Sequence, residues 1–481
     1  MTNNSAEMNI PFHPELNRFA VTSESEDRGT ISFATGKKLV VLSCLLIVFE
    51  FFAPYPIAIF KCLLAAALVF FVRPQHLPAL LILFISSSNF LDKSHEIDTI
   101  VLSGSEVAGF SFMGFPVEVP LVVSLSCTVK ILWDLLHRPS IFPQRIRILL
   151  MIWLTAFVPS VIMSLMGRSE GYNGWSHPVK LVLVSGVFFY GYFLAMRWNN
   201  EKEFVNRMLL YFSLFFILLT MTIGLNHRYI FIFPAFIPAL SIAHFRSSND
   251  HMKLLAISNY VAITIAICFF YTTFTLRGLF IISSFLAMIA FLKLTAIKKF
   301  IGWYMGLPAL IVTITFVLIV SQSWKDRMVS WDTIAQESSA TFKLKSKIYN
   351  DRGRVWEAQI KNILTPPYFI KMPGRGTILF HPKRGLIVVY WGSHNVFLQQ
   401  LRVNRFYSGG ISCLILIISI ISSAKAYVYN RDLETRAMAI FVLATCLFGG
   451  MTGHYVLGGR AGIWIMLFAG MVTALYTRRS R

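Results

Sequence analysis

Long apolar runs recur along almost the whole chain, and this pattern restricts the possible folds more than any other feature. Such runs fill most of residues 39–320 and reappear from 409 onwards. A helix of about 20 apolar residues is long enough to cross a lipid bilayer. Hydrophobic residues make up 56% of the chain and charged residues only 14%, which argues against a soluble protein. The sequence therefore predicts an all-α fold, a polytopic helical membrane protein with about 12–14 transmembrane helices.

The short connections between the apolar runs differ in how much Lys and Arg they hold. Cytoplasmic loops of membrane proteins collect these residues, so we place the basic connections and the N-terminal tail inside. This orientation predicts four regions: a disordered cytoplasmic tail at 1–38, an N-terminal transmembrane bundle at 39–320, a large outer (periplasmic) loop at 321–408, and C-terminal transmembrane helices with a short basic cytoplasmic tail at 409–481.

The predicted outer loop carries more positive charge than its topology requires. It holds 14 Lys and Arg against 5 Asp and Glu, within a chain whose net charge is +21. In a soluble protein this charge would suggest a nucleic-acid partner, but outside a membrane the natural partners are phosphate, diphosphate, lipid headgroups or an acidic glycan. The alternative is a loop that is merely solvated, as runs of charge often are.

The first patterned segment of this loop is a predicted helix that starts at Asp351 and ends before Pro366. Its apolar side chains fall on one face, which is formed by Trp356, Ile360, Ile363 and Leu364. Arg352 lies one turn before Trp356 on that face. There it could bind an anion at the helix N-terminus or extend to the lipid headgroups.

The second patterned segment begins at His394 and Asn395, and its apolar face is formed by Phe397, Leu398 and Leu401. A histidine on such a face is more often a packing residue than a catalyst. It is nevertheless the side chain near the basic cluster that can exchange a proton near neutral pH. Between the two segments, Gly374 and Gly376 predict a turn where the backbone can approach a partner closely.

Charged residues and cysteines inside the apolar runs have simpler interpretations. Lys130 and Asp134 are four residues apart and predict a structural ion pair on one helix. Glu50 and Lys61 are predicted to pair with one another, as charges in membrane spans usually do. The six cysteines lack metal-ligand spacing and are predicted to be small packing residues.

The order of these motifs resembles the O-antigen ligase and Wzy-type polysaccharide polymerase superfamily of bacterial inner-membrane proteins. That family has a large outer loop before its last spans. The loop carries an Arg before a Trp, a Pro- and Gly-containing turn, a His-Asn-x-x-Leu sequence and a Gly pair. The matching residues here are Arg352, Trp356, Gly374, Gly376, His394, Asn395, Leu398, Gly409 and Gly410. The family's Arg in a short outer turn between earlier spans is matched by Arg277.

The resemblance implies a glycosyltransferase of the bacterial inner membrane with its active site on the periplasmic face. The implied donor is a glycan on undecaprenyl diphosphate, and the acceptor is another glycan or a lipid. Membrane lipids, a flippase and a chain-length regulator are the further partners, and no nucleic acid, metal, sugar nucleotide or other cofactor is implied. The implied catalytic residues are Arg277 and Arg352, which hold the diphosphate leaving group, and His394, which takes the proton of the acceptor hydroxyl or otherwise positions that hydroxyl. The substrate-binding residues are Arg354, Asn395, Trp356, Gly374, Gly376 and Arg460, and Arg354 competes with Arg352 for the diphosphate.

Three functions follow from these features. The leading one is polymerisation of lipid-linked repeat units of O-antigen or exopolysaccharide. The second is an O-antigen ligase that transfers finished glycan to lipid A–core. The third, from another class, is a flippase or transporter of lipid-linked oligosaccharides. It ranks lower because such proteins usually show internal repeats and mid-membrane charges, whereas the charge here lies mainly in one loop.

Overall fold

The computed structural model describes part of the chain, and all structural statements below refer to that part. The described residues are 33–49, 53–71, 76–84, 110–112, 115–117, 119–138, 142–169, 177–197, 254, 258, 359–361, 363–364, 377–381, 385–389, 395–430, 433–446, 450 and 460–479.

Helices dominate these residues. In chain order they are α1 (Phe33–Phe49), α2 (Pro54–Phe70), α3 (Leu77–Phe84), α4 (Val119–His137), α5 (Gln144–Ser169), α6 (His177–Arg197), α7 (Val396–Asn404), α8 (Gly410–Tyr429), α9 (Leu433–Ala444) and α10 (Arg460–Arg479). A short π-helical turn, Arg405–Gly409, joins α7 to α8.

Among the described residues, three helical stretches are long and apolar enough to cross a membrane: Gln144–Leu165, Pro178–Arg197 and Val396–Tyr429. Apolar helices of this length in a chain with mean hydropathy +0.62 indicate a membrane protein, as predicted. The predicted total of about 12–14 spans depends largely on residues outside the described part and stays a prediction.

Two β-hairpins depart from the all-α prediction. Strands β1 (Phe110–Phe112) and β2 (Phe115–Val117) pair antiparallel, and so do β3 (Thr377–His381) and β4 (Gly385–Val389). The second hairpin falls in the range predicted as the outer loop. Its strands read TILFH and GLIVV, and the β-branched and aromatic residues that dominate them favour strands. The periodicity used to find helices does not register such short segments.

Helix α6 lies at the centre of the described bundle and contacts α4, α5, α8 and α10. Its side chains from Leu181 to Ala195 are buried all round, which is the pattern of a helix enclosed by others. Its closest partner is α10. A Cβ on Gly191 would collide with the backbone of Leu467, and one on Gly470 would collide with the backbone of Phe188. The two glycines therefore let these helices approach to backbone contact, as small residues do in membranes.

Local predictions inside the apolar runs are confirmed where the structure describes them. The Lys130 Nζ lies 3.0 Å from Asp134 Oδ1 and 2.9 Å from Oδ2, which is the predicted pair. Five of the six cysteines are described: Cys62, Cys127, Cys413 and Cys446 are buried and Cys44 is half-buried. Lys61 is buried, while Glu50 lies outside the described residues. Helix α1 starts at Phe33, so the last residues of the predicted disordered tail are helical.

Candidate functional site

Most of the predicted site residues lie outside the described part of the chain. These are His394, Arg277, Arg352, Arg354, Trp356, Gly374 and Gly376. Arg460 is the first residue of α10, and only its backbone is described. Asn395 is the one predicted site residue whose side chain is described. The catalytic and substrate-binding roles of Asn395 and of the other predicted site residues stay predictions.

Asn395 is the N-cap of α7. Its Oδ1 accepts hydrogen bonds from the backbone amides of Phe397 (2.9 Å) and Leu398 (3.2 Å). The backbone of Asn395 is extended, and the side chain is buried. These bonds satisfy two of the amides that a helix start leaves unpaired. Asn395 thereby fixes where α7 begins, directly after His394 in the sequence.

Two substitutions at Asn395 distinguish its role as a helix cap from a role in substrate binding. Asn395→Ala removes the cap and is expected to lower the free energy of unfolding by about 1 kcal/mol. Asn395→Ser keeps a capping oxygen and removes the amide, so it should keep the stability. If the amide also binds substrate, Asn395→Ser loses glycan-forming activity while its thermal unfolding in detergent stays near wild type. Full activity of Asn395→Ser would limit this residue to the cap.

The chain reverses direction between α7 and α8. A Cβ on Gly409 would lie 2.5 Å from the carbonyl oxygen of Gln400. Further along, Cys413 Sγ lies 3.9 Å from the carbonyl oxygen of Phe397 and donates to it. Residues progressively earlier in α7 therefore contact residues progressively later in the chain: Gln400 contacts Gly409, and Phe397 contacts Cys413. This is the pattern of two antiparallel segments, so α7 packs back along the first turns of α8. This α7–α8 hairpin (Val396–Tyr429) has its apex at Asn404 and Arg405, and α8 is the part of it that can cross a bilayer.

Arg405 occupies the hairpin apex in an unusual backbone conformation. Its φ is 56° and its ψ is −171°, a region that glycine prefers. The side chain is only 1% exposed, and Nη1 donates to the carbonyl oxygen of Ile363 at 3.3 Å. Strained backbone and buried charge are each costly, and both are common at functional sites. The sequence interpretation did not select Arg405 as a site residue.

Hydrogen bonds fasten the apex to α5. Ser160 Oγ donates to Asn404 Oδ1 at 3.2 Å, and Asn404 Nδ2 donates to Gln400 Oε1 at 3.2 Å. Ser408 Oγ donates to the carbonyl oxygen of Ala156 at 2.7 Å. Bonds of this kind between membrane helices contribute about 0.6 kcal/mol each on average. Together they fix the position of the apex relative to α5.

A second set of polar contacts connects α5 and α8 through α6. Trp153 Nε1 donates to Ser185 Oγ at 3.0 Å and to the carbonyl oxygen of Val182 at 3.2 Å. Ser185 Oγ lies 3.5 Å from Ser412 Oγ on α8. The hairpin is therefore held on two sides by the central part of the bundle.

The buried face of α7 is not the predicted apolar face. The predicted apolar residues Phe397, Leu398 and Leu401 are only half-buried, whereas the fully buried polar residues are Gln399, Gln400 and Asn404. A membrane reverses the usual preference, because apolar side chains can face lipid and polar ones must find partners inside. The signal for this face was the polar i, i+4 pair Gln400 and Asn404 close to an apolar run.

The segment 359–364 shows a similar offset. Gln359 and Ile363 are buried, while Ile360 and Leu364, from the predicted apolar stripe, are 44% and 58% exposed. Ile363 faces Arg405 through the carbonyl bond described above, and Gln359 lies one turn earlier on the same buried side. The predicted stripe is therefore divided: Ile363 faces protein, whereas Ile360 and Leu364 do not.

The arrangement joins a rigid helix start and a buried cation within one small hairpin. A guanidinium in a low-dielectric site is suited to hold an anionic oxygen. The cap at Asn395 places the start of α7, and the reversal brings the later residues back beside it. Scans of the chain against family models, curated proteins and solved structures find no match.

Proposed function

We propose that the protein is a membrane glycosyltransferase that uses an undecaprenyl-diphosphate-linked glycan as donor. It polymerises repeat units of O-antigen or exopolysaccharide at the periplasmic face of the bacterial inner membrane. The supporting observation is Arg405, a buried arginine in strained backbone. It follows the His-Asn-x-x-Leu sequence that carries the resemblance by only a few residues.

The proposed reaction needs a base, an anion-binding group and no further reagent. The acceptor hydroxyl oxygen bonds to the anomeric carbon of the donor sugar while the bond from that carbon to the diphosphate oxygen breaks. His394 takes the hydroxyl proton, and undecaprenyl diphosphate leaves. Negative charge grows on the leaving group, so arginines that bind it stabilise the transition state more than the ground state. In addition to Arg277 and Arg352, Arg405 provides a cation that binds the leaving group.

The glycan profile of a deletion strain tests this function. Loss of a polymerase leaves single repeat units, whereas loss of a ligase leaves long chains on the undecaprenyl carrier. We expect single units, and restoration of the long chains by the wild-type gene. Unchanged glycan length and attachment would contradict both enzymes. Transport of lipid-linked oligosaccharide by vesicles that contain the purified protein, without glycosidic bond formation, would instead support a flippase.

A further inference from the structure

Three buried polar side chains near the hairpin apex have atoms without a hydrogen-bond partner among the described residues. Both Nε2 and Oε1 of Gln359 are unpartnered, as are Nε2 of Gln400 and Oγ of Ser164. None of these side chains is more than 2% exposed. Buried polar groups in folded proteins nearly always have a partner. These three, which we name the apex cluster, therefore indicate that additional polar groups bind around the apex.

Gln359 is connected to the apex through its own helical turn. Ile363, one turn later on the same buried side, accepts a hydrogen bond from Arg405. A turn of helix is about 5.4 Å long, so Gln359 is close to the buried guanidinium.

Gln400 and Ser164 are connected to the apex in the same way. Gln400 accepts a hydrogen bond from Asn404, which is itself bonded to Ser160. Ser164 lies one turn beyond Ser160 on α5. All three members of the cluster are thus within one helical turn of an apex contact. Because α5 and α7 run in the same direction here, Gln400 lies one turn before the Asn404–Ser160 contact and Ser164 one turn beyond it.

The unpartnered atoms define the chemistry of the missing group. The unpartnered atom of Gln400 is the donor Nε2, because its Oε1 accepts from Asn404. Gln359 needs a donor and an acceptor side by side, and the Ser164 hydroxyl can act as either. A diphosphate that is esterified at both ends and fully ionised only accepts, and it would leave Gln359 Oε1 unpaired. Neighbouring hydroxyls each donate and accept, so a vicinal diol satisfies both ends of the amide.

We propose that the apex cluster is a carbohydrate subsite that binds vicinal hydroxyls of one sugar unit, with Gln359 as the principal contact. This rests on the proposed function and names the part of the glycan that the hairpin holds. Gln359 bonds the two hydroxyls of the diol, and Gln400 and Ser164 bond further sugar oxygens.

Thermal unfolding of the purified full-length protein in lipid nanodiscs tests the subsite. The probes are free hexoses, N-acetylhexosamines and their disaccharides, each compared with inorganic phosphate. At least one saccharide should raise the unfolding midpoint of the wild type more than phosphate does. Gln359→Met removes the unpartnered amide at nearly constant volume. It should unfold at the wild-type temperature or above without sugar and lose the saccharide-induced shift.

The matched control is Gln144→Met, the same substitution at an exposed position at the start of α5. It should keep the full saccharide response. Lower stability of Gln359→Met without sugar would show that the amide already has a partner such as a structural water, and would overturn the subsite. A full response in Gln359→Met, a larger shift with phosphate, or no saccharide response in the wild type would overturn it as well.

The deletion strain separates this proposal from the proposed reaction. Unchanged glycan in that strain, together with a saccharide shift that depends on Gln359, refutes the reaction and keeps the subsite. Single repeat units in that strain, together with a shift that does not depend on Gln359, keep the reaction and refute the subsite.

Discussion

Arg405→Ala and His394→Ala, each introduced into the deletion strain, are expected to lower glycan polymer about a hundredfold or more. His394→Ala removes the proposed base, and general-base catalysis is typically worth 10²–10⁴-fold in rate. Arg405→Ala removes a buried cation proposed to bind the leaving group, and lost transition-state stabilisation of this kind costs about 10²–10³-fold. Chain length on gels of extracted glycan measures the effect, and immunoblots of membranes check the amount of protein.

Arg405→Gly separates the guanidinium from the backbone that holds it. Glycine adopts a φ of 56° without penalty, which relieves about 1–3 kcal/mol of strain. That gain offsets part of the loss of this buried side chain and its contacts, which include the hydrogen bond to Ile363. We expect a folded protein that is more stable than Arg405→Ala, because only glycine relieves the strain, and that makes no polymer. Wild-type polymer from this variant would reduce Arg405 to a structural role.

Gly409→Ala is expected to open the α7–α8 hairpin. The added Cβ would lie 2.5 Å from the carbonyl oxygen and 2.8 Å from the carbonyl carbon of Gln400, and backbone atoms have little room to move. Overpacking of this kind typically costs about 1–3 kcal/mol. Because the hairpin positions both Arg405 and the start of α7, polymer formation should fall together with the unfolding temperature.

The neighbouring glycine is the matched control. Gly410 is helical, and an added Cβ there meets no atom within 4 Å. Gly410→Ala should keep the activity and raise the stability by up to about 1 kcal/mol, because alanine favours helix. If both alanine variants have the same activity and stability, the close backbone approach at Gly409 is not the reason that this position needs glycine.

Features set by neighbouring residues in the chain could be predicted from the sequence. The long apolar helices follow from composition over a window of residues. The Lys130–Asp134 pair follows from the helical repeat, because four residues bring two side chains to the same face. The start of the second amphipathic segment at Asn395 is likewise visible, since an Asn before an apolar pattern is a common cap.

Features that depend on distant contacts could not be predicted in this way. The bond between Arg405 and Ile363 spans 42 residues, and that between Ser160 and Asn404 spans 244. Asn404 and the residues 406–410 are weak helix formers, but weak helix propensity alone does not reveal that the chain reverses at Arg405. The amphipathic pattern of α7 does not say which of its faces meets protein, and only packing against α5 identifies the polar side as the buried one.

The close contact between α6 and α10 can form only late in the synthesis of the protein. Gly191 and Gly470 permit the contact, but α10 is synthesised long after α6 has entered the membrane. During that interval the glycine face of α6 has no native partner and is open to lipid or to other helices. Insertion of α10 is therefore the step that locks α6 in place, and α6 in turn contacts both α5 and the α8 arm of the hairpin. Cells that synthesise the chain without α10 should degrade it rapidly, although every residue of the hairpin would be present.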